Sequence, residues 1–243
     1  PTLWPIEKTN EIMKWYHEFL NKAPDDLNGF FTTMVIPGPP FPDHLHNKHF
    51  CGIIWCYTGD LDKAQAVFKP ILDMEPLFQH VDEMPYPAIQ NMFDGLMPPG
   101  LQWYWKADFF NEVTPEMSAQ LMAFGSNIPT PLSQMHMYPI SGAAGRVSKD
   151  ATPWAHRDAK YAGVIVGVDP SPENADKITK WCREYWDALH PFSSGGVYLN
   201  FIMDEGQPRI EASYKDNYKR LTSIKKKYDS NNFFRVNQNI VPN

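Results

Sequence analysis

An α+β fold is predicted, with an antiparallel or mixed sheet and helices packed on one face. Three observations predict it. Apolar and aromatic stretches of strand length recur at 28–36, 49–57, 101–109, 133–140 and 161–168. Whole amphipathic helical patterns separate several of them, while others are close enough to form hairpins. No Gly-rich turn stands between a strand and a helix as a pyrophosphate-binding parallel sheet requires. The chain has 243 residues, 43% of them hydrophobic, which is enough for one substantial core or two small ones.

The elements follow in order. Residues 6–21 form a helix with Ile12, Met13, Tyr16, Phe19 and Leu20 on one face. The strand at 28–36 ends at a Pro-Gly-Pro-Pro run, and 49–57 is the second strand. Asp60 caps a helix that turns Ala64, Val67, Phe68, Ile71 and Leu72 inward. A short helical piece at 84–93 precedes the aromatic strand 101–109. Thr114, Pro115 and Glu116 open a helix to about 124, the order being cap, proline, acid. Residues 133–140 and 145–148 read as a hairpin, and 161–168 as a buried strand. Ser171 opens the clearest helix, with Ile178, Trp181, Cys182, Tyr185, Trp186 and Leu189 at helical spacing. A last strand is expected at 197–202. A final helix carries the stripe Tyr214, Tyr218, Leu221, Ile224 and Tyr228, stopped by Asp229 and the polar residues after it. Phe233 and Phe234 then require burial.

Composition excludes several function classes. A net charge of −6 argues against a nucleic-acid partner. The run Lys225, Lys226, Lys227 is a solvated helix end, where cations suit the helix dipole. No apolar run approaches the roughly 20 residues that span a bilayer, so no membrane partner is expected. Three cysteines make no disulfide framework; Cys51 and Cys56 fall on opposite faces of their strand. That leans towards a reducing, cytoplasmic compartment and leaves localisation otherwise open. His44, His46 and His49 lack the further ligands of a matched set, so no metal site is expected.

Chemistry is most concentrated at 134–138. Gln134, His136 and Tyr138 share one strand face in a Met-lined wall. Histidine titrates in the range that general-base work needs. His136 and Tyr138 are therefore the catalytic candidates, and Gln134 a substrate contact. Tyr104, between Trp103 and Trp105, is a further substrate-side candidate. In the expected strand 197–202, Tyr198 and Asn200 point one way, Leu199 and Phe201 the other. Arg157 is expected to hold its loop through a carboxylate.

Three stretches carry a resemblance. Residues 214–242 join the final helix to an Asp-Ser-Asn-Asn stop, two phenylalanines and an Asn-rich tail. Residues 195–201 read Gly-Gly-Val-Tyr-Leu-Asn-Phe, and 150–157 read Asp-Ala-Thr-Pro-Trp-Ala-His-Arg. From about 30 to 242 the chain resembles the berberine-bridge-enzyme-like flavoprotein oxidases. The resemblance implies an FAD-dependent oxidation of a C–OH or C–H bond in a small-molecule substrate, by hydride transfer to flavin. It implies a substrate-binding α+β domain at 1–205. A C-terminal segment at 206–243 would pack on an FAD-binding domain, or on a second copy of the chain. Such a domain precedes the matching region in the family and nothing like it precedes Pro1. The chain is thus read as the substrate-side part, not expected to hold FAD by itself. Tyr198, Asn200 and Asn237 are implied to lie by the flavin, and Phe201 by the substrate. Family members often carry Tyr, the usual base, at the position of Phe201. Phe201 has no proton to exchange, so the base must lie elsewhere: His136, with Tyr138 as a hydrogen-bonding guide. The rival reading is a stand-alone binding or interaction domain that kept the fold and lost redox chemistry.

Overall fold

The computed structural model describes residues 1–36, 38–39 and 41–242. The chain runs β1 (Thr2–Pro5), α1 (Thr9–Leu20), β2 (Leu27–Val35), β3 (His49–Tyr57), α2 (Ala64–Leu72), β4 (Phe78–Gln79) and α3 (Tyr86–Asn91). It continues through β5 (Gln102–Phe110), α4 (Pro115–Gly125), β6 (Gln134–Pro139), α5 (Gly142–Arg146), β7 (Tyr161–Asp169), α6 (Ala175–Leu189), α7 (Gln207–Tyr214) and α8 (Asn217–Tyr228). Among the described residues the strands make one sheet, ordered β4-β1-β3-β2-β6-β7-β5. All its pairings are antiparallel, as the α+β reading expects.

Alternation along each strand sorts side chains onto two faces. One face carries Phe31, Ile53, Trp55, Met135, Met137 and Ile165, and the main core forms there against α1, α4 and α6. Two of those helices, α4 and α6, follow a side-chain cap that precedes an apolar stripe, whereas α1 starts without one. Thr114 accepts a hydrogen bond from the Met117 amide at 3.2 Å, and Pro115 starts α4. Ser171 accepts from Glu173 at 3.3 Å in the 3-10 turn that leads into α6. The apolar face of α6 buries Ile178, Trp181, Tyr185 and Leu189, each contributing about 1.5–3 kcal/mol. Gly167 permits this close approach. A Cβ there would meet Cys182 Sγ at 2.9 Å and Ile178 Cβ at 2.9 Å. The opposite face carries Phe30, Thr32, His136, Tyr138, Val164, Val166, Trp103 and Trp105. It is covered in part by the 197–203 segment.

Several expectations need correction. Residues 197–202 are not a strand. Gly195 and Gly196 have φ of 78° and 70°, which turn the chain off the end of β5 after one bridge, Phe110 to Ser193. A 3-10 turn at Leu199–Phe201 follows, so the expected two-faced alternation of Tyr198 to Phe201 does not form. Residues 142–146 are a helical turn, so no hairpin forms with 145–148; β6 pairs with β7 and β2 instead. The expected helix from 214 breaks at Lys215, whose φ is 50°. Strands β1 and β4 are too short to be read from periodicity, and their pairing along β3 and β1 defines them. Arg157 holds its loop without a carboxylate. It donates to the Ala144 carbonyl at 2.8 Å and the Thr152 hydroxyl at 2.6 Å, and lies over the Trp154 ring. Asp229 does stop α8, accepting from the Phe233 and Phe234 amides at 2.7 and 3.0 Å. The two rings stay exposed, at 78% and 74%, rather than finding burial in this chain.

The C-terminal residues attach to the sheet through α7. Arg209 of α7 donates to the Ala107 carbonyl at 2.8 Å and to the buried Asp108 carboxylate at 3.0 Å. His190 reaches the other Asp108 oxygen at 2.8 Å. Ser213 accepts from the Val197 amide at 3.2 Å, so α7 also holds the turn that leaves β5. His156 packs on Phe109 with ring centroids 4.6 Å apart and reaches the Ala212 carbonyl at 3.2 Å.

Candidate active site

The sheet face away from the main helices presents an aromatic plate. Its centre is β6. His136 Nδ1 and the Tyr138 hydroxyl share a hydrogen bond of 2.7 Å. Register sets Thr32 of β2 and Val164 of β7 directly opposite His136. The Phe30 ring lies 4.9 Å from His136 and 4.8 Å from Tyr138. Phe201 lies 5.4 Å from Tyr138, and Tyr198 meets Phe201 edge-on at 4.9 Å. Asn200 donates its amide to the Tyr198 hydroxyl at 2.8 Å.

Burial sets the electrostatics. It lowers the His136 pKa to about 4 and raises that of Tyr138 to about 12. Around neutral pH the imidazole and the phenol are therefore both uncharged. His136 is the deeper of the two, at 9% exposure, and Tyr138 is half-buried. The Thr32 hydroxyl is buried next to His136 and has no hydrogen-bond partner among the described residues. A linkage consequence follows. His136 and His156 both have pKa values near 4 against an ordinary 6.5, with burial the largest cause in each. The unfolded chain therefore binds more protons between those limits. Stability should be complete above about pH 6.5 and fall as pH drops towards 4, by roughly 2–3 kcal/mol from His136 alone. Urea unfolding at pH 7.5 and 4.5 checks this. His136→Gln should flatten the dependence, and an unchanged slope in that variant rejects the assignment.

Most of the sequence-predicted residues come together. Gln134, His136 and Tyr138 share the face, with Phe201, Tyr198 and Asn200 at its edge. Asn237 sits in the tail that returns beside this edge, where Gln238 donates to the Ile202 and Met203 carbonyls at 3.3 and 3.4 Å. Tyr104 does not join them. It lies opposite Gly167 on the helix face, and its hydroxyl accepts from Arg183 Nε at 2.9 Å. Phe30, Thr32 and Trp105 were not singled out in the sequence. Alternation within 28–36 places Phe30 and Thr32 on one face, but only the pairing of β2 with β6 turns that face towards His136. Among the described residues no group of three His, Cys, Asp or Glu side chains is placed to hold a metal. His46 and His49 instead bond separate carbonyls, of Phe41 and Gly125. No helix among the described residues is long and apolar enough to cross a membrane.

The rings stand at 33° to 87° to one another and leave an apolar face with a polar rim. The rim carries the Asn200 amide, so the donor set is compatible with a heteroaromatic group laid on this face. Comparison with known proteins gives the family likeness and the fold. The family model described as berberine and berberine like matches residues 197–241. An FAD-linked oxidoreductase of Dictyostelium discoideum is 27% identical over 189 residues, covering 76% of this chain and 41% of the relative. The chain therefore spans less than half the length of that relative. The solved structure of the berberine-bridge-enzyme-like protein 28 from Arabidopsis thaliana superposes with a TM-score of 0.79 at 19% identity. It covers 99% of this chain and 56% of that one, which shows a shared fold. A variant of berberine bridge enzyme in complex with (S)-reticuline superposes with a TM-score of 0.78 at 17% identity, over 99% of this chain and 54% of that one.

Proposed function

We propose that this berberine-bridge-enzyme-like chain is the substrate-side portion of an FAD-dependent oxidoreductase that oxidises a C–OH or C–H bond. The observation that carries the reading is the uncharged His136–Tyr138 pair, set in an aromatic plate beside the 197–241 family segment. Bound FAD would supply the hydride acceptor for the substrate carbon. The residues of this chain do the rest. The plate formed by Phe30, Tyr138, Phe201 and Tyr198 excludes water from one side of the reacting centre. Tyr198, Asn200 and Asn237 are assigned to the flavin edge on the family resemblance, and the Asn200 amide bonded to the Tyr198 hydroxyl supports keeping the first two together. The Tyr138 hydroxyl receives the substrate's hydroxyl proton as its own passes to His136 Nδ1, which is 2.7 Å away and free to accept it. Burial disfavours the imidazolium, so the proton leaves the ring again from its second nitrogen to solvent, which restores the neutral imidazole. Gln134, on the same face, orients the substrate.

The C-terminal residues support the partner half of this reading. Tyr228, Phe233, Phe234 and Val236 are exposed at 76%, 78%, 74% and 84%. Such a cluster fits a surface that an FAD-binding domain covers. We place the boundary at about 205–206, with Arg209 anchoring the later segment to the sheet. The test is the absorbance spectrum of the full-length protein. Flavin bands that bleach anaerobically on adding an oxidisable alcohol or amine are expected. Their absence from the purified full-length protein rejects the reading and favours a binding module without redox chemistry, to which Phe201 in place of the usual Tyr would then belong.

A further inference from the structure

Thr32 of β2 stands directly across from His136 of β6. It is 1% exposed, and its hydroxyl has no hydrogen-bond partner among the described residues. A buried hydroxyl left unpaired is costly, so a partner is expected within reach. The surroundings leave few choices. Phe30 and Met34 share its face on β2. Gly52 of β3 stands on its other flank, under the Leu3 side chain, which a Cβ on Gly52 would strike. None of these offers a polar side-chain group. Directly opposite residues of an antiparallel pair hold their Cβ atoms about 4.5–5.5 Å apart. The groups left to bond Thr32 are the His136 imidazole and, on the diagonal, the Gln134 amide. Thr33 carries an unpaired hydroxyl as well, but alternation turns it to the helix face, against Gly125 of α4.

The imidazole has a matching need. Burial keeps it neutral around neutral pH, so one ring nitrogen carries a hydrogen and the other a lone pair. Hydrogen on Nε2 leaves Nδ1 bare to take the Tyr138 proton across 2.7 Å. Hydrogen on Nδ1 makes the ring a donor to Tyr138 and closes that route. The bond made by the second nitrogen decides between the two tautomers. Nε2 lies on the ring edge remote from Nδ1, so its partner is a group other than Tyr138. The other residue directly opposite His136, Val164, has no polar side-chain atom to offer.

We propose that Thr32 is a positioning residue for His136: one bridging water links the Nε2 hydrogen to the Thr32 hydroxyl, which holds Nδ1 bare towards Tyr138. The water follows from the geometry, since no direct bond joins the two side chains. A bridging water is nearly as good as a direct bond where polar partners surround it, and Thr32, His136 and Gln134 supply them. When His136 takes the Tyr138 proton, the Nε2 bond comes from a cation and strengthens, so the same link favours the imidazolium against burial. A neutral hydroxyl sets the tautomer without placing a second charge in the apolar plate. The proposal rests on the function proposed above and adds a residue to its proton-accepting pair.

The experiment has two arms. In the first, the full-length protein carries histidine labelled with heavy nitrogen, and NMR at neutral pH tells a ring nitrogen that bears hydrogen from a bare one. His136→Gln assigns the signals. His136 should carry its hydrogen on Nε2. Thr32→Val should move the tautomer ratio about fivefold or more towards Nδ1, the usual weight of one hydrogen bond, and Thr32→Ser should stay within about twofold of wild type. In the second, single-turnover kinetics reads flavin reduction. Thr32→Val should slow it about tenfold or more, since the bond lost there is charge-assisted, with substrate Kd within about twofold. Thr32→Ser should restore the rate to within about threefold. Hydrogen on Nδ1 in the wild type overturns the proposal without any variant. So does a ratio that Thr32→Val leaves unchanged, or one that Gln134→Leu moves and Thr32→Val does not. A shifted ratio with an unchanged reduction rate overturns Thr32's part in the reaction together with the base assigned above. A full-length protein without flavin overturns the oxidoreductase reading, and the tautomer ratio still decides whether Thr32 orients the ring.

Discussion

Tyr138→Phe in the flavin-bearing full-length protein is expected to slow flavin reduction by roughly 10²–10⁴, the usual contribution of a positioned acid or base. The phenol is the half-buried member of the pair, and His136 lies behind it at 2.7 Å. Removing the hydroxyl takes away both the group that meets the substrate proton and its route to the imidazole. His136→Ala should cost less, because Tyr138 still orients the substrate. The double variant should be no slower than Tyr138→Phe alone, since the two groups act in series. With His136 near 4 and Tyr138 near 12, neither changes charge between about pH 5 and 10. The reduction rate should therefore be flat over that range as far as this pair controls it. Single-turnover kinetics measures all of this. Rates within a few-fold of wild type in both single variants would end the assignment, and a bell centred near neutrality would point to a base outside β6.

Arg209→Met is expected to destabilise the fold by about 3–5 kcal/mol, because it strands a buried carboxylate. Asp108 is 2% exposed and its two oxygens are held by Arg209 and His190. Burial raises its pKa, and the neighbouring His190 and Arg209 work against that shift. Loss of the guanidinium leaves a single partner, itself 45% exposed. Adding Asp108→Asn to Arg209→Met should recover part of the loss, since the uncompensated charge is then gone. Urea unfolding of the two variants measures both effects. An Arg209→Met change under about 1 kcal/mol would mean the pair is little more than a surface contact. Hydrogen exchange adds a local readout. Residues 197–203 should exchange faster in Arg209→Met, because α7 holds the start of that turn through Ser213.

The two faces of the sheet account for what could be read in advance and what could not. Helix positions were legible because caps and apolar stripes are local. Thr114, Ser171 and Asp229 each make a hydrogen bond that sequence spacing anticipates. The shared face of Gln134, His136 and Tyr138 was legible for the same reason, since alternation is a property of one strand. Tyr104 was assigned to the substrate side from its aromatic neighbours alone. Nothing within a single strand says which of its two faces meets the helices, and Gly167 opposite Tyr104 marks that face only once the register is known. Residues 197–202 have the composition of a strand. Two glycines at positive φ, and the hydrogen bond from the Val197 amide to Ser213 of α7, turn them into an edge of the site instead.

By itself, then, the sequence determined the α+β class, the helices that carry one side of the sheet, the His136–Tyr138 pair and the likeness of 195–242 to a flavoprotein segment. These rest on short-range periodicity, capping and motif spacing, which need no knowledge of distant contacts. The tertiary structure alone decided the strand order, the depth that leaves His136 uncharged around neutral pH, and the approach of Phe30 and Phe201 to Tyr138. It also decided where Asp108 finds its charge partners, 82 and 101 residues away along the chain. Burial and long-range pairing arise from the whole fold at once, so no window of the sequence contains them.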